Sequence, residues 1–234
     1  MNRNIRGFTL IEMAMVVAII ALLLGGLLMP LGAQLENRRI RNTEQQLADI
    51  RDALMGFAIT GLDVRLPCPD IDGDGLEDPE SSEETAACLE TEGELPWASL
   101  GLTGRDAWGR PFRYAPDDAY VDPEGISDSL DTESGFLIRD DAGTPLTDWT
   151  GASDTEPAPN GPAAIVFSCG QDGVPNGEND NDGAVNADAD CTNPGSSDGL
   201  YTSNTRMEGL FDDHLIWLSR NTLVNRLVAA GVWP

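Results

Sequence analysis

The chemistry open to this chain lies in its carboxylates. Residues 70–78 read Asp70-Ile71-Asp72-Gly73-Asp74-Gly75-Leu76-Glu77-Asp78. Carboxylates at every second position converge on one ion when the chain turns tightly, and Gly75 permits such a turn. The first half follows the EF-hand template: Asp70, Asp72, Asp74, then Gly75. The twelfth position is Ser81 rather than Glu, and Pro69 and Pro79 exclude good flanking helices. The pattern predicts an isolated Ca2+ loop, with Glu77, Asp78 or Glu80 as further donors, against a solvated acidic loop as the alternative. A second group, Asp172, Asp180, Asp182, Asp188 and Asp190, bunches in one later loop. Clustered carboxylates repel unless a cation or solvent separates them, so Ca2+ is expected here too.

Four cysteines, Cys68, Cys88, Cys169 and Cys191, flank or sit within these loops. Their number is even, and an exported chain meets an oxidising compartment, so two disulfides are expected. Neighbour pairing, Cys68–Cys88 and Cys169–Cys191, is the expectation among three connectivities. Each bridge closes a loop of about twenty residues, worth roughly 3 kcal/mol in the loop-entropy model. A zinc site is disfavoured, because Cys-x-x-Cys spacing is absent and there is one histidine, His214.

The remaining reactive carboxylate is Glu12, which stands inside an apolar run. Apart from it, no charge occurs between Arg6 and Glu36. Twenty-odd apolar residues at about 1.5 Å rise cross a bilayer core of roughly 30 Å. An acidic residue in such a span costs about 3 kcal/mol on insertion scales, so it needs a compensating role. A secretory signal peptide does not fit: its core is shorter, and it leaves Glu12 without a purpose.

Here the chain resembles the type IV pilin and type II secretion pseudopilin family. The likeness rests on a short basic leader (Arg3, Arg6), Gly7, then Phe8-Thr9-Leu10-Ile11-Glu12 and a long apolar helix. It implies cleavage by a prepilin peptidase between Gly7 and Phe8, methylation of the new Phe8 amine, and contact of Glu12 with the terminal amine of a neighbouring subunit during filament assembly. A cation on the next subunit would partner the buried carboxylate and fix register. Two further stretches resemble major pseudopilins: Trp108-Gly109-Arg110-Pro111, and the strand leading into Gly170-Gln171-Asp172-Gly173, where the family's corresponding loop holds a structural calcium.

The elements that must position these groups follow in order. Residues 1–7 form a leader and 8–31 a transmembrane helix, with Gly25, Gly26 and Pro30 expected to loosen its outer end. Arg3 and Arg6 before the span favour a cytoplasmic N-terminus in the bacterial inner membrane. Residues 32–61 continue as an amphipathic spine with a stripe of Leu35, Ile40, Leu47, Ile50, Leu54 and Phe57. Residues 62–234 form an extracytoplasmic domain in the periplasm. Within it, Phe112 and Tyr114 alternate as in a strand, and 116–162 reads as a surface insertion around a short strand at 135–139. Residues 163–168 form a buried strand, and Leu215–Leu218 a closing strand. A helix capped by Ser219 runs through Ala230 to Gly231. The expected architecture is α+β and pilin-like: a long N-terminal helix packed on a small antiparallel sheet, with long acidic loops and a C-terminal helix.

Composition bounds the function. The net charge is −26; residues 1–60 hold six arginines and five acids, the rest eight arginines and thirty-five acids. So acidic a domain argues against nucleic acid as a partner and suits divalent cations. There is no nucleophile elbow, phosphate loop, dinucleotide fingerprint or His-rich metal site, and His214 is expected on the surface or in a loop, so an enzyme is not expected. The expected role is a filament subunit, most specifically a type II secretion pseudopilin. Its partners would be like subunits, the prepilin peptidase and the assembly platform of the secretion or pilus machinery. The alternatives are a surface type IV pilus subunit and a membrane-tethered calcium-binding or adhesive protein that never polymerises.

Overall fold

A computed structural model describes residues 8–61, 63–80, 87–123, 125–126, 135–147, 161–180, 191, 199–207 and 210–233, with backbone alone at 24–31, 178 and 180. Helix α1 spans Leu10–Thr60, and its hydrogen-bonded backbone carries through Pro30 without a break. The chain divides into two compact units, Met1–Arg41 and Asn42–Pro234.

In the first unit, every described side chain from Phe8 to Leu23 is exposed, including Phe8, Leu10 and Leu22 at 81%, 89% and 78%. Among the described residues no helix is long and apolar enough to cross a membrane. The apolar run of the sequence continues through 24–31, whose side chains are not described.

The second unit is built on an antiparallel sheet. Strands β1 (Gly93–Glu94), β2 (Arg113–Pro116), β4 (Pro162–Ser168) and β6 (His214–Ser219) lie in the order β1-β2-β4-β6. A parallel pair, β3 (Leu137–Arg139) and β5 (Leu200–Thr202), forms a separate layer. Strand β4 is buried along its whole length, because both faces of the sheet are covered. Ala164 and Val166 belong to a core with Leu47, Ile50 and Leu54 of α1 and with Leu223 and Leu227 of helix α3 (Arg220–Ala230). Ile165 and Phe167 belong to a second core with Phe136, Ile138 and Tyr201. This is the expected α+β architecture: a long helix against a four-stranded antiparallel sheet, closed by a C-terminal helix.

Helix α3 is capped at both ends by chemistry visible in its sequence. Ser219 Oγ accepts from Thr222 N–H, and Gly231 takes a left-handed conformation (φ 72°).

Four expectations need correction. Leu35 at the head of the amphipathic stripe is half exposed, whereas Leu47, Ile50 and Leu54 are fully buried. Strand β2 does not alternate: Arg113 is buried too, because Glu92 reaches it (3.6 Å) and Tyr201 Oη donates to that carboxylate at 2.8 Å. The region 116–162 is not merely a surface insertion. Tyr120 and Val121 of helix α2 (Asp118–Val121) join the core under α1, while Ile138 of β3 helps to cover the sheet's second face. His214 is not a loop residue; it opens β6, is partly buried, and stacks on Trp108 with ring centroids 5.8 Å apart.

Candidate functional site

Three groups of carboxylates are positioned by these elements. The first is Glu12, in the opening turn of α1. Its Oε2 accepts from Thr9 N–H and Thr9 Oγ, both at 2.9 Å, while Glu12 N–H donates to Thr9 Oγ at 3.3 Å. This is a capping box: Thr9 and Glu12, three residues apart, satisfy each other's otherwise orphaned groups. The Thr-x-x-Glu pattern was present in the sequence as its signal. Phe8 precedes it and is exposed, and Gly7 lies outside the described residues.

The second group is the loop 70–78. Asp70 is fully buried; its Oδ1 accepts from Gly73 N–H and its Oδ2 from Gly75 N–H, both at 2.7 Å. Asp78 Oδ2 accepts from Ile71 N–H at 2.7 Å and Asp72 N–H at 3.3 Å. One carboxylate oxygen from each of Asp70, Asp72 and Asp78 lies within 4.8 Å of the other two. Three hard oxygen donors so placed can hold a divalent cation. Asp74 is not one of the three; its Oδ1 accepts from Leu76 N–H. Glu77 is engaged elsewhere, in a two-pronged ion pair with Arg65 at 2.8 and 3.2 Å and as acceptor of Cys68 N–H.

Burial pushes the Asp70 carboxyl above its ordinary range. The Gly73 and Gly75 N–H groups oppose that, and the charges of Asp78 and Asp74 add to the rise. A bound cation would relieve the repulsion.

Two features hold this loop. Cys68 is bonded to Cys88. The Trp97 indole fills the space beside Gly75 so tightly that a Cβ there would sit 2.4 Å from it.

The third group follows β4. Cys169 is bonded to Cys191. Asp172 is exposed, and its Oδ1 accepts from Val174 N–H at 2.9 Å. Asp180 closes a short 3-10 turn, Gly177–Asp180, but its side chain is not described; Asp182, Asp188 and Asp190 lie outside the described residues. Two residues not expected at this loop define its described part. Asp212 and Asp213 come in from the start of β6, and both accept hydrogen bonds from residues 171–179. Their separation in sequence gave no signal.

Trp108-Gly109-Arg110-Pro111 forms a turn in which Asp106 Oδ1 accepts from Trp108 N–H and Arg110 N–H, both at 2.9 Å. Asp106 Oδ2 accepts from Ser168 Oγ at 2.6 Å, tying the turn to the end of β4.

The N-terminal segment meets known proteins at one place. Residues 2–28 match the model of the prokaryotic N-terminal methylation motif, the prepilin-type signal of type IV pilins and pseudopilins. No curated protein and no solved structure matches the chain. The motif contains Gly7, Phe8 and Glu12 and implies a pilin-like subunit processed by prepilin peptidase.

Proposed function

We propose that the chain is a structural subunit of a type IV pilus-like filament, assembled through its N-terminal helix, most specifically as a pseudopilin of a type II protein secretion system. Cleavage falls between Gly7 and Phe8, and the new Phe8 amine is methylated. Residues 8–31 anchor the subunit in the inner membrane, and the domain 62–234 stands in the periplasm. On assembly, Glu12 pairs with the terminal amine of a neighbouring subunit.

One observation carries this reading. Within the methylation motif, a single carboxylate is fixed at the head of a helical segment, residues 8–23, whose side chains are all exposed and almost all apolar. A surface of that kind needs lipid or like helices around it. A surface type IV pilus subunit is the second reading, favoured by the two disulfides of the domain. The Asp70–Asp72–Asp78 group is proposed to hold a structural Ca2+, the ion suited to irregular all-oxygen donor sets.

Replacing Glu12 with Ala tests the filament reading. The expected result is loss of the chain from filaments with normal membrane insertion and unchanged calcium binding. Unchanged incorporation would overturn the assembly role of Glu12, and absence of the wild-type chain itself from filaments, with membrane insertion intact, would favour a tether that never polymerises.

A further inference from the structure

The two disulfides stand in different surroundings. Cys169 and Cys191 are 0% and 2% exposed and belong to the core that holds Ile165 and Phe167. In the other pair Cys68 is 1% exposed, but Cys88 is only partly buried. Cys88 also lines an open groove of about 390 Å³. Leu89, Val121 and Pro123 give that groove its apolar wall, and Glu90, Asp118 and Asp122 its charge; no arginine lines it. One cysteine of the four is therefore presented to a reagent in solution.

The chain on either side of this bridge is held without it. The Pro67 carbonyl accepts from Tyr114 Oη, and Cys68 N–H donates to Glu77 Oε2, both at 3.0 Å. The segment carrying Cys88 lies against residues 78–80: Glu80 N–H donates to the Ala87 carbonyl at 2.8 Å, and Leu89 N–H to the Asp78 carbonyl at 3.1 Å. Opening the bridge leaves those hydrogen bonds in place, so the two sulfurs stay close enough to rejoin. The Cys169–Cys191 bridge has no such approach, and a thiol reaches it only when the second core opens.

We propose that Cys68–Cys88 is a thiol–disulfide exchange site, entered at Cys88, whose partner is an extracytoplasmic dithiol carried on a neutral or cationic surface. The partner's thiolate attacks Cys88 Sγ and forms a mixed disulfide. The Cys68–Cys88 bond breaks, and its electron pair leaves on Cys68 Sγ, which takes a proton from water. The partner's second thiolate then attacks its own sulfur in the mixed disulfide and expels Cys88 as a thiolate, which is protonated in turn. The partner loses two electrons and two protons and becomes a disulfide, and the bridge gains them; oxidised partner reverses the steps. The charge preference follows from the groove. Its three carboxylates repel an anionic reagent and attract a cationic one, and salt screens the effect. The site is independent of the filament reading, which supplies only the compartment.

The test uses the full chain, with both bridges closed, in neutral detergent micelles. It is treated with dithiothreitol, quenched with iodoacetamide at intervals and mapped by peptide mass spectrometry. The expected result is alkylation of Cys68 and Cys88 at least about tenfold faster than of Cys169 and Cys191, with the amides of β4 still protected from hydrogen exchange. Equal rates, faster labelling of the second pair, or opening of the first pair only with loss of that protection would overturn the proposal. Monothiols then read the partner's charge. At low ionic strength and per unit of thiolate, cationic cysteamine is expected to open the bridge several-fold faster than anionic mercaptoethanesulfonate, and the gap should close in high salt. A Glu90→Gln/Asp118→Asn variant, altered at two exposed residues, is expected to fold normally and to narrow the gap. Equal rates for the two reagents on the wild type would overturn the charge preference, and an unchanged gap in the variant would overturn the role of the groove.

Discussion

The two disulfide-closed acidic loops look alike in sequence and are held in opposite ways. In the loop 70–78 the aspartates act locally, while the backbone also pairs with Glu94 and Ala98: Asp70 caps Gly73 and Gly75, three and five residues on, and Asp78 caps Ile71, seven residues back. The loop after β4 is held from a distance: Asp212 reaches Gln171 across 41 residues and Asp213 reaches Asn176 across 37. A cation held by Asp70, Asp72 and Asp78 would tighten a local turn. Asp212 and Asp213 cross-link two parts of the chain that meet only in the folded sheet. The first loop should therefore keep its turn when the domain loosens, while the second should lose its anchor as soon as the start of β6 frays.

The disulfides give the largest effect and the sharpest symmetry. Cys68–Cys88 and Cys169–Cys191 span 20 and 22 residues. Replacing either pair with serine should lower unfolding free energy by roughly 3 kcal/mol in denaturant titrations, nearly equally for the two. A loss well under 1 kcal/mol at one pair would show that its loop is already ordered in the unfolded chain. Next is Gly75→Ala, which combines a backbone φ of 88° with a Cβ 2.4 Å from the Trp97 indole. It should cost about 2–3 kcal/mol and shift the tryptophan emission.

Asp212→Ala should cost about 2 kcal/mol, because it strips the acceptor from Gln171 and Asp172 N–H. Its signature in hydrogen exchange is faster amides at 171 and 172, some forty residues away. Asp78→Ala should speed exchange only nearby, at 71 and 72, for about 1 kcal/mol. Fast exchange confined to the neighbours of Asp212 itself would erase the contrast between the loops. Asp74→Ala should be the mildest, within about 0.5 kcal/mol, since that side chain only braces an exposed turn.

The same contrast explains what was legible. Strand β4, strand β6 and helix α3 with its Ser219 and Gly231 caps were readable because each is specified by its own residues. Two disulfides were readable from an even set of cysteines beyond the apolar run. The first acidic loop was readable as a turn, but not the exchange of Asp74 for Asp78 in the converging set, which depends on how the chain returns past Pro69. Strands β1 and β5, two and three residues long, are made by their partners rather than by any pattern of their own. The burial of Arg113 needed Glu92 and Tyr201, brought in from separate segments. Asp213 could not be singled out, since nothing in Phe211-Asp212-Asp213-His214 indicates Asn176 and Asn179 as partners. At the N-terminus, spacing and chemistry coincide within a few residues, and the motif was the most readable part of the chain.

That motif also supports the central claim, that the chain is a processed filament subunit, and intact-mass spectrometry of the protein from fractionated cells tests it most directly. The account predicts a chain that begins at an N-methylated Phe8 and keeps the apolar helix. In the envelope fraction this would fit a periplasmic pseudopilus, and in the sheared surface fraction a pilus. A chain that retains residues 1–7, or that has lost the whole apolar segment, would contradict it.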